Sequence, residues 1–178
     1  MPSTPLLDRE HQAAWLAELS AACDADPEFA RHPTWRSSPA ETGALARLQT
    51  DPLIAELMCA SASRVTVRLV ARLREFALLL EGRAPEQVGT LALRAGGGVG
   101  WVENARGLLI HFVKLDRDRA ARYCIVAPTE WNFHPDGAFA SALLGAPADD
   151  LATVTRRATR LVHSLDPCVA CSVEFDDA

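Results

Sequence analysis

The sequence predicts an α+β fold: one domain over residues 1–178, mostly helical, with a small antiparallel β-sheet. Apolar residues recur at helical spacing through the first half of the chain, about residues 1–84. Two β-rich runs joined by a short charged turn follow in the second half, about residues 85–178, before a long helical pattern. With 178 residues, of which 49% are hydrophobic, the chain is long enough to bury one sizeable core.

Helical periodicity predicts the first elements. Trp15, Leu16, Leu19 and Cys23 lie near one face of a helix early in the chain. An irregular connection that carries three prolines follows it. A second helix is then predicted within residues 40–49, where apolar residues again recur on one side.

The next two helices have clear start or stop signals. Asp51 is the residue type of an N-cap, and Pro52 occupies the first helical position after it. The longest helix is predicted over residues 63–82, where Gly82 suits the C-terminal end. Its apolar face needs a large partner surface and is formed by residues spaced four and three apart: Leu69, Leu73, Phe76 and Leu80.

The pattern changes to strands in the second half. A short strand is predicted at residues 89–93. Four glycines between Gly96 and Gly100 predict a flexible turn, because they lack the Lys and Ser/Thr spacing of a phosphate-binding loop. The runs 106–116 and 121–128 predict an antiparallel hairpin whose apolar residues alternate between two faces.

The last elements return to helical spacing. Residues 129–137 are predicted as a loop, and a short helix ends at Gly145. A final long helix, capped by Asp149 or Asp150, leads the chain to Asp166.

Composition argues against two classes of function. A net charge of −5 argues against broad nucleic-acid binding, which requires a clustered positive surface. Arg156, Arg157 and Arg160 cluster on the last predicted helix, where a solvated face explains them. No apolar run reaches the roughly 18 residues of a membrane span. Since the first residues also lack the pattern of a signal peptide, we expect a cytoplasmic protein.

A Cys-x-x-Cys pair, Cys168 and Cys171, lies close to the C-terminus. Its spacing is compatible with a metal clamp, a redox dithiol or two structural thiols. The other three cysteines are isolated in apolar contexts and are interpreted as core thiols: Cys23, Cys59 and Cys124.

Four segments together resemble the nickel–iron hydrogenase large-subunit family. "DPCVAC", from Asp166, is similar to its C-terminal D-P-C-x-x-C motif, and "ENARGLLIH", from Glu103, to its E-x-x-R-G-x-L-x-H segment. "APTEWN", from Ala127, resembles its P-T-x-W-N loop, and "ETGALAR", from Glu41, its E-x-G-x-L-A-R helix start. The segments occur in the family's order over roughly residues 31–178. The resemblance implies a fold like the C-terminal region of a large subunit.

The resemblance also implies roles for particular residues. In the family, nickel and an iron that carries one carbon monoxide and two cyanides are bound by four cysteines from two Cys-x-x-Cys motifs. The second motif and the groups that surround the iron match these positions: Cys168, Cys171, Arg106, Pro128, Thr129 and Asp166. Thiolates are soft donors that suit iron and nickel. A guanidinium and a hydroxyl can donate hydrogen bonds to cyanide nitrogens.

Plainer readings of single residues stay open. Arg106 is also compatible with a surface ion pair, and Thr129 with a cap or turn hydroxyl, although the site roles are favoured. His111, within the hairpin, is interpreted as a structural histidine.

The sequence departs from the family on both sides of the site. Only Cys23 lies upstream of Glu41, so the first Cys-x-x-Cys motif is missing and a complete nickel–iron centre is not expected. Glu174 stands where processed hydrogenases carry a cleavage-site histidine. This combination resembles assembly proteins of the HupK type, which are similar to large subunits yet lack the first cysteine pair.

The resemblance therefore implies a non-catalytic scaffold or chaperone in hydrogenase maturation. It would carry an Fe(CN)2(CO) unit transiently on Cys168 and Cys171, receive it from assembly proteins and pass it to the hydrogenase large subunit. Two alternatives stay open: a metal-free binding module that mimics a large subunit, and a hydrogenase-like subunit completed by another chain.

Two structural expectations accompany this hypothesis. Some apolar helix surface should be exposed, which predicts a tight partner or a homo-oligomer. The two sulfurs, the Arg106 guanidinium and the Thr129 hydroxyl should border one small cavity.

Overall fold

The computed structural model describes residues 12–60, 62–83, 88–147 and 150–174. It confirms the α+β fold class, with helices before and after a sheet. The elements are α1 Gln12–Ala25, a 3-10 helix Phe29–Arg31, α2 Ala44–Arg47, α3 Pro52–Cys59, α4 Arg64–Leu80, β1 Val88–Ala92, β2 Gly97–Asn104, β3 Gly107–Asp116, β4 Arg119–Val126, α5 Pro128–Asn132, α6 Ala138–Leu143 and α7 Leu151–Leu165.

The sheet is an antiparallel meander in the order β1-β2-β3-β4. The predicted hairpin corresponds to β3 and β4. The glycine-rich stretch, predicted as a turn, instead enters β2, where Gly98 and Gly100 pair with Val113 and His111. Hydrogen bonds to a strand on each side outweigh the weak strand propensity of glycine.

One hydrophobic core lies between α1 and one face of the sheet. Trp15, Leu16, Leu19 and Cys23 of α1 are buried, as the periodicity predicted. They pack with buried residues from the sheet and from α5: Val99, Leu108, Ile110, Phe112, Val126 and Trp131. This core fixes the strands whose ends approach the candidate site.

A second cluster joins the first-half helices. It contains buried residues of α2, α3 and α4, namely Ala44, Leu45, Ile54, Val67 and Ala71. The predicted start of α3 is confirmed, since the Asp51 side chain accepts a 3.1 Å hydrogen bond from the Leu53 N–H and Pro52 begins the helix.

The predicted apolar face of α4 lies on the outside of the described structure. Leu69, Leu73, Phe76 and Leu80 are 45%, 70%, 59% and 74% exposed. The helix turns Val67, Arg68 and Ala71 inward instead. Val67 and Ala71 pack in the second cluster, and Arg68 forms a partly buried ion pair with Glu41 of the segment before α2. The expectation of exposed apolar helix surface is confirmed within the described residues.

The structure also corrects the predictions for one isolated cysteine and for the loop after the hairpin. Cys23 is buried, but Cys59 is exposed at the end of α3, so its interpretation as a core thiol was wrong. The predicted loop after the hairpin contains α5, because Pro128 sits at a first helical position and supplies a helix start. No helix within the described residues combines the length and hydrophobicity needed to cross a membrane.

Candidate functional site

The cysteine pair follows directly from the end of α7. The helix begins at an N-cap, Asp150, whose side chain accepts a hydrogen bond from the Thr153 N–H; Asp149, the other predicted cap, lies outside the described residues. At the other end Asp166 adopts a left-handed conformation, φ 52°, which turns the chain away from the helix axis. Cys168 and Cys171 then follow as exposed free thiols.

Asp166 connects the cysteine segment to two arginines. Its Oδ2 lies 3.9 Å from Arg106 Nε and 3.5 Å from Arg72 Nη1. Arg72 also donates a 3.1 Å hydrogen bond to the His163 carbonyl at the end of α7. Arg106 therefore forms an ion pair, as the alternative interpretation proposed, and its partner Asp166 is another predicted site residue. Partial exposure of these groups keeps the pairs weak and their side chains free to reorient.

Thr129 lies against the first cysteine. Pro128 is buried at the start of α5, and Thr129 follows it in the first turn. The Thr129 Oγ1 atom lies 3.6 Å from Cys168 Sγ, within hydrogen-bonding reach of a sulfur. A hydroxyl beside a thiolate can donate to the sulfur or to a ligand bound on it. Contacts thus pair Arg106 with Asp166 and Thr129 with Cys168, and Asp166 and Cys168 are two positions apart in the chain.

Asn132, which the sequence analysis did not single out, ties the segments of the site to one another. It is buried at the end of α5. Its Oδ1 accepts a 2.9 Å hydrogen bond from the Thr42 N–H, and its Nδ2 donates to the Arg106 carbonyl at 3.4 Å. A buried amide that satisfies two backbone groups holds both in place. Its position at the end of the "APTEWN" segment, which carries the family resemblance, was the sequence signal that could have identified it.

The turn that carries Arg106 packs closely on the segment before α2. A Cβ built on Gly107 would lie 2.2 Å from Thr42 Oγ1, so only glycine fits there. Gly43 makes the reciprocal approach, with a φ of +114° and the Arg106 carbonyl nearby. The close contact sets the position of Arg106 relative to the core.

A buried charge cluster supports the same region. Arg47 of α2 donates to Glu75 of α4 at 2.6 Å and also pairs with Glu103 of β2. Burial raises the pKa of the Glu103 carboxyl, although the Arg47 guanidinium opposes that shift. Burial would lower the pKa of Arg47, but its hydrogen bonds and charge interactions with the two carboxylates raise it overall. The cluster holds α2, α4 and β2 together and takes no part in the exposed site.

Two cavities are both lined by Asp166, but the other predicted site residues that line them differ. One, of about 20 Å3, is lined by Arg72, Arg106 and Asp166 among others. The other, of about 380 Å3, is lined by Asp166, His163 and Cys171. Neither cavity is bordered by both cysteine sulfurs, the Arg106 guanidinium and the Thr129 hydroxyl, so neither meets the expectation that all these groups border one small cavity. Among the described residues, no three His, Cys, Asp or Glu side chains cluster closely enough to hold a metal ion.

The donor set suits a soft metal with anionic ligands. Cys168 and Cys171 are exposed thiols that can become thiolate ligands. Thr129 and Arg106 supply hydrogen-bond donors beside the cysteine segment. Such donors stabilise the charged nitrogen end of a cyanide.

Comparisons with known proteins relate the chain to hydrogenases and to their formation proteins. The family model described as nickel-dependent hydrogenase matches residues 40–174. The chain is 38% identical to the hydrogenase expression/formation protein HoxV of Cupriavidus necator, over 100% of this chain and 48% of that protein. It is 35% identical to the hydrogenase expression/formation protein HupK of Rhizobium leguminosarum bv. viciae, over 91% of this chain and 45% of that protein. The chain thus spans less than half the length of each of these relatives.

A solved structure has the same fold over most of the chain. The Ni-Fe-Se hydrogenase of Desulfovibrio vulgaris Hildenborough, in its as-isolated oxidized state, superimposes with a TM-score of 0.55 at 26% identity. The match covers 76% of this chain and 36% of the hydrogenase chain. All four segments that carry the sequence resemblance lie within residues 40–174. The chain therefore belongs to the nickel-dependent hydrogenase family.

Proposed function

We propose that this chain is a non-catalytic scaffold in the maturation of a nickel–iron hydrogenase, and that it carries an Fe(CN)2(CO) unit as cargo on Cys168 and Cys171. The observation that carries the proposal is the exposed cysteine pair at the end of α7, with the Thr129 hydroxyl 3.6 Å from Cys168 Sγ. A family fold with a thiol pair and adjacent donors supplies the ligands that such a unit requires.

Exposure favours a carrier over a permanent site. A scaffold has to receive and release its cargo, so its ligands must be reachable by the proteins on either side of the transfer. Cys168, Cys171 and the half-exposed Arg106 meet that requirement. Two thiolates also hold an iron unit less firmly than four, which allows the next site to take it. Arg106 can leave Asp166 and donate to a cyanide nitrogen when the cargo is present.

The names of the relatives support the maturation role. HoxV and HupK are named as hydrogenase expression/formation proteins, and these matches extend over most of this chain. We infer that the partners are the hydrogenase assembly proteins that supply the iron unit and the large subunit that accepts it. We place these exchanges in the cytoplasm.

The carrier function is tested by infrared spectroscopy of the chain purified after co-production with the hydrogenase maturation proteins. Metal-bound cyanide and carbonyl bands are expected in the wild type. Cys168→Ala and Cys171→Ala should each remove the bands, because one remaining thiolate cannot hold the unit. Cys59→Ala is the matched control, since Cys59 is also an exposed free thiol but lies on α3. Bands that persist in both variants would overturn the carrier proposal.

A second candidate function is favoured by the outward face of α4. In this alternative the chain binds partners as a metal-free mimic of a large subunit. An apolar stripe on this helix is exposed in the described part of the chain and is formed by Leu69, Leu73, Phe76 and Leu80. Such a stripe is unusual for a surface that faces only water. The outer face of the sheet adds exposed Val88, Tyr123 and Ile125.

The two functions separate in a binding experiment with purified hydrogenase small subunit, which is a partner of the large subunit that the chain would mimic. Leu73→Asp with Phe76→Asp should weaken binding at least tenfold, because charges on the stripe oppose apolar contact. Leu144→Asp is the control, as Leu144 is 78% exposed outside α4. A binding module keeps full affinity and cellular hydrogenase maturation when both Cys168 and Cys171 are alanine, whereas a carrier loses maturation. Size-exclusion chromatography of the same variants shows whether a second copy covers the stripe instead.

A further inference from the structure

Two cysteines outside the candidate site lie next to each other in the core. Cys23 of α1 and Cys124 of β4 are 101 positions apart in sequence, yet their Sγ atoms are 2.9 Å apart. A disulfide bond joins sulfurs at about 2.05 Å, so the two thiols need only a small approach to bond. Neither residue takes part in the proposed iron site.

We propose that Cys23 and Cys124 are a reversible oxidation site, which closes to a disulfide in thiol–disulfide exchange with a small anionic disulfide such as glutathione disulfide. The bond would join the C-terminal part of α1 to the sheet that α1 covers.

Contacts between the end of α1 and β4 hold the segments that carry the two cysteines together. Arg122, two residues before Cys124 on β4, donates to the Asp24 carbonyl at 2.7 Å and also contacts the Cys23 carbonyl. Its Nε lies 3.3 Å from the Asp24 carboxylate. These contacts hold the end of α1 against β4 and keep the two sulfurs within reach of each other.

A cavity beside the sulfurs provides access. It has a volume of about 150 Å3 and is lined by both cysteines and by three cations: Arg94, Lys114 and Arg122. Asp24 is the opposing charge in the lining. The excess of positive groups favours an anionic disulfide at the mouth of the cavity.

The two thiols have different exposure, which sets the order of attack. Cys23 is 2% exposed, whereas Cys124 is only partly buried. Burial raises the pKa of the Cys23 thiol, and the hydrogen bond with Cys124 raises it further. Cys124 is therefore the attacking residue, and Cys23 is the resolving one.

The exchange balances without another reactant. The Cys124 thiolate attacks one sulfur of glutathione disulfide, which forms a mixed disulfide and expels one glutathione thiolate. Cys23 then loses its proton and attacks Cys124 Sγ, which expels the second glutathione. Two protein thiols are oxidised, one glutathione disulfide is reduced to two thiols, and the two protons from the cysteines end on those thiols.

Closure is expected to stabilise the fold. A cross-link across about one hundred residues removes much conformational freedom from the unfolded chain. For a domain of this size the midpoint of thermal unfolding should rise by about 10 °C.

The experiment treats the purified full chain carrying Cys59→Ser, Cys168→Ser and Cys171→Ser with glutathione disulfide, followed by alkylation and peptide mass spectrometry. Those substitutions remove the three exposed thiols, which glutathione would also modify. The expected product is a Cys23–Cys124 cross-linked peptide, a mass 2 Da lower, the higher midpoint of thermal unfolding, and reversal by excess glutathione. Further substitution of Cys23→Ser should leave glutathione attached at Cys124.

Alkylation of both Cys23 and Cys124 after complete exchange would overturn the proposal, as would a lasting glutathione adduct at Cys124 in the presence of Cys23. Because the mass spectrum is read on a chain with both cysteines intact, the test does not depend on how well the Cys23→Ser variant folds.

Discussion

Replacing Arg47 with alanine is expected to lower the free energy of unfolding by about 3–5 kcal/mol, because it leaves two carboxylates buried without their cation. The Arg47 side chain is 5% exposed, and its partners Glu103 and Glu75 are 3% and 15% exposed. Glu75 and Glu103 would then repel each other in a region where water cannot replace the guanidinium.

Urea unfolding measures this loss, and Arg31→Ala is the matched control. Arg31 forms an ion pair with Glu28 in which both side chains are mostly exposed, so its removal should change stability by at most about 1 kcal/mol. Equal losses in the two variants would contradict the assignment of a buried cluster.

The Arg47→Ala variant should also recover part of its stability in acid. Burial raises the pKa of Glu103 above its value in the unfolded chain. Without Arg47 to oppose the shift, the folded state binds a proton more readily than the unfolded state. Stability should therefore increase as pH falls through the raised pKa and decrease as pH rises through it.

Local signals in the sequence predicted the elements whose stabilising contacts are also local. The buried face of α1 follows from the spacing of Trp15, Leu16 and Leu19, and the start of α3 from the Asp51-Pro52 step. The inward side of α4 was not predictable in this way. That side packs Val67 and Ala71 in the second cluster and pairs Arg68 with Glu41, whereas spacing alone favours the apolar stripe as the buried face.

The contacts of the candidate site are long-range, and spacing does not reveal them. Resemblance to the family indicated Arg106, Thr129 and Asp166, and the structure brings these residues to the cysteine segment. Asn132 and Arg72 were missed because their partners lie about 90 positions away in sequence. Those pairs form only when α5 packs against the segment before α2 and α7 packs against α4.

Replacing Gly107 with alanine is expected to destabilise the fold by about 3 kcal/mol and to displace Arg106 from Asp166. Gly107 has a φ of +130°, which side-chain-bearing residues rarely adopt, and the added Cβ would lie 2.2 Å from Thr42 Oγ1 and 2.9 Å from Thr42 Cβ. Thr42 cannot retreat easily, because its N–H is bonded to the buried Asn132 side chain. Relief must come from the turn that carries Arg106.

Gly82→Ala is the control that separates the backbone strain of a positive φ from the steric clash of the added Cβ with Thr42. Gly82 also has a positive φ, +66°, but a Cβ there would meet nothing within 4 Å. It should cost only about 1 kcal/mol, the ordinary price of a left-handed alanine. If the Arg106 turn positions a donor for the cargo, Gly107→Ala should weaken the cyanide infrared bands, whereas Gly82→Ala should leave them at wild-type intensity. Equal bands in the two variants would show that Arg106 does not position the iron unit.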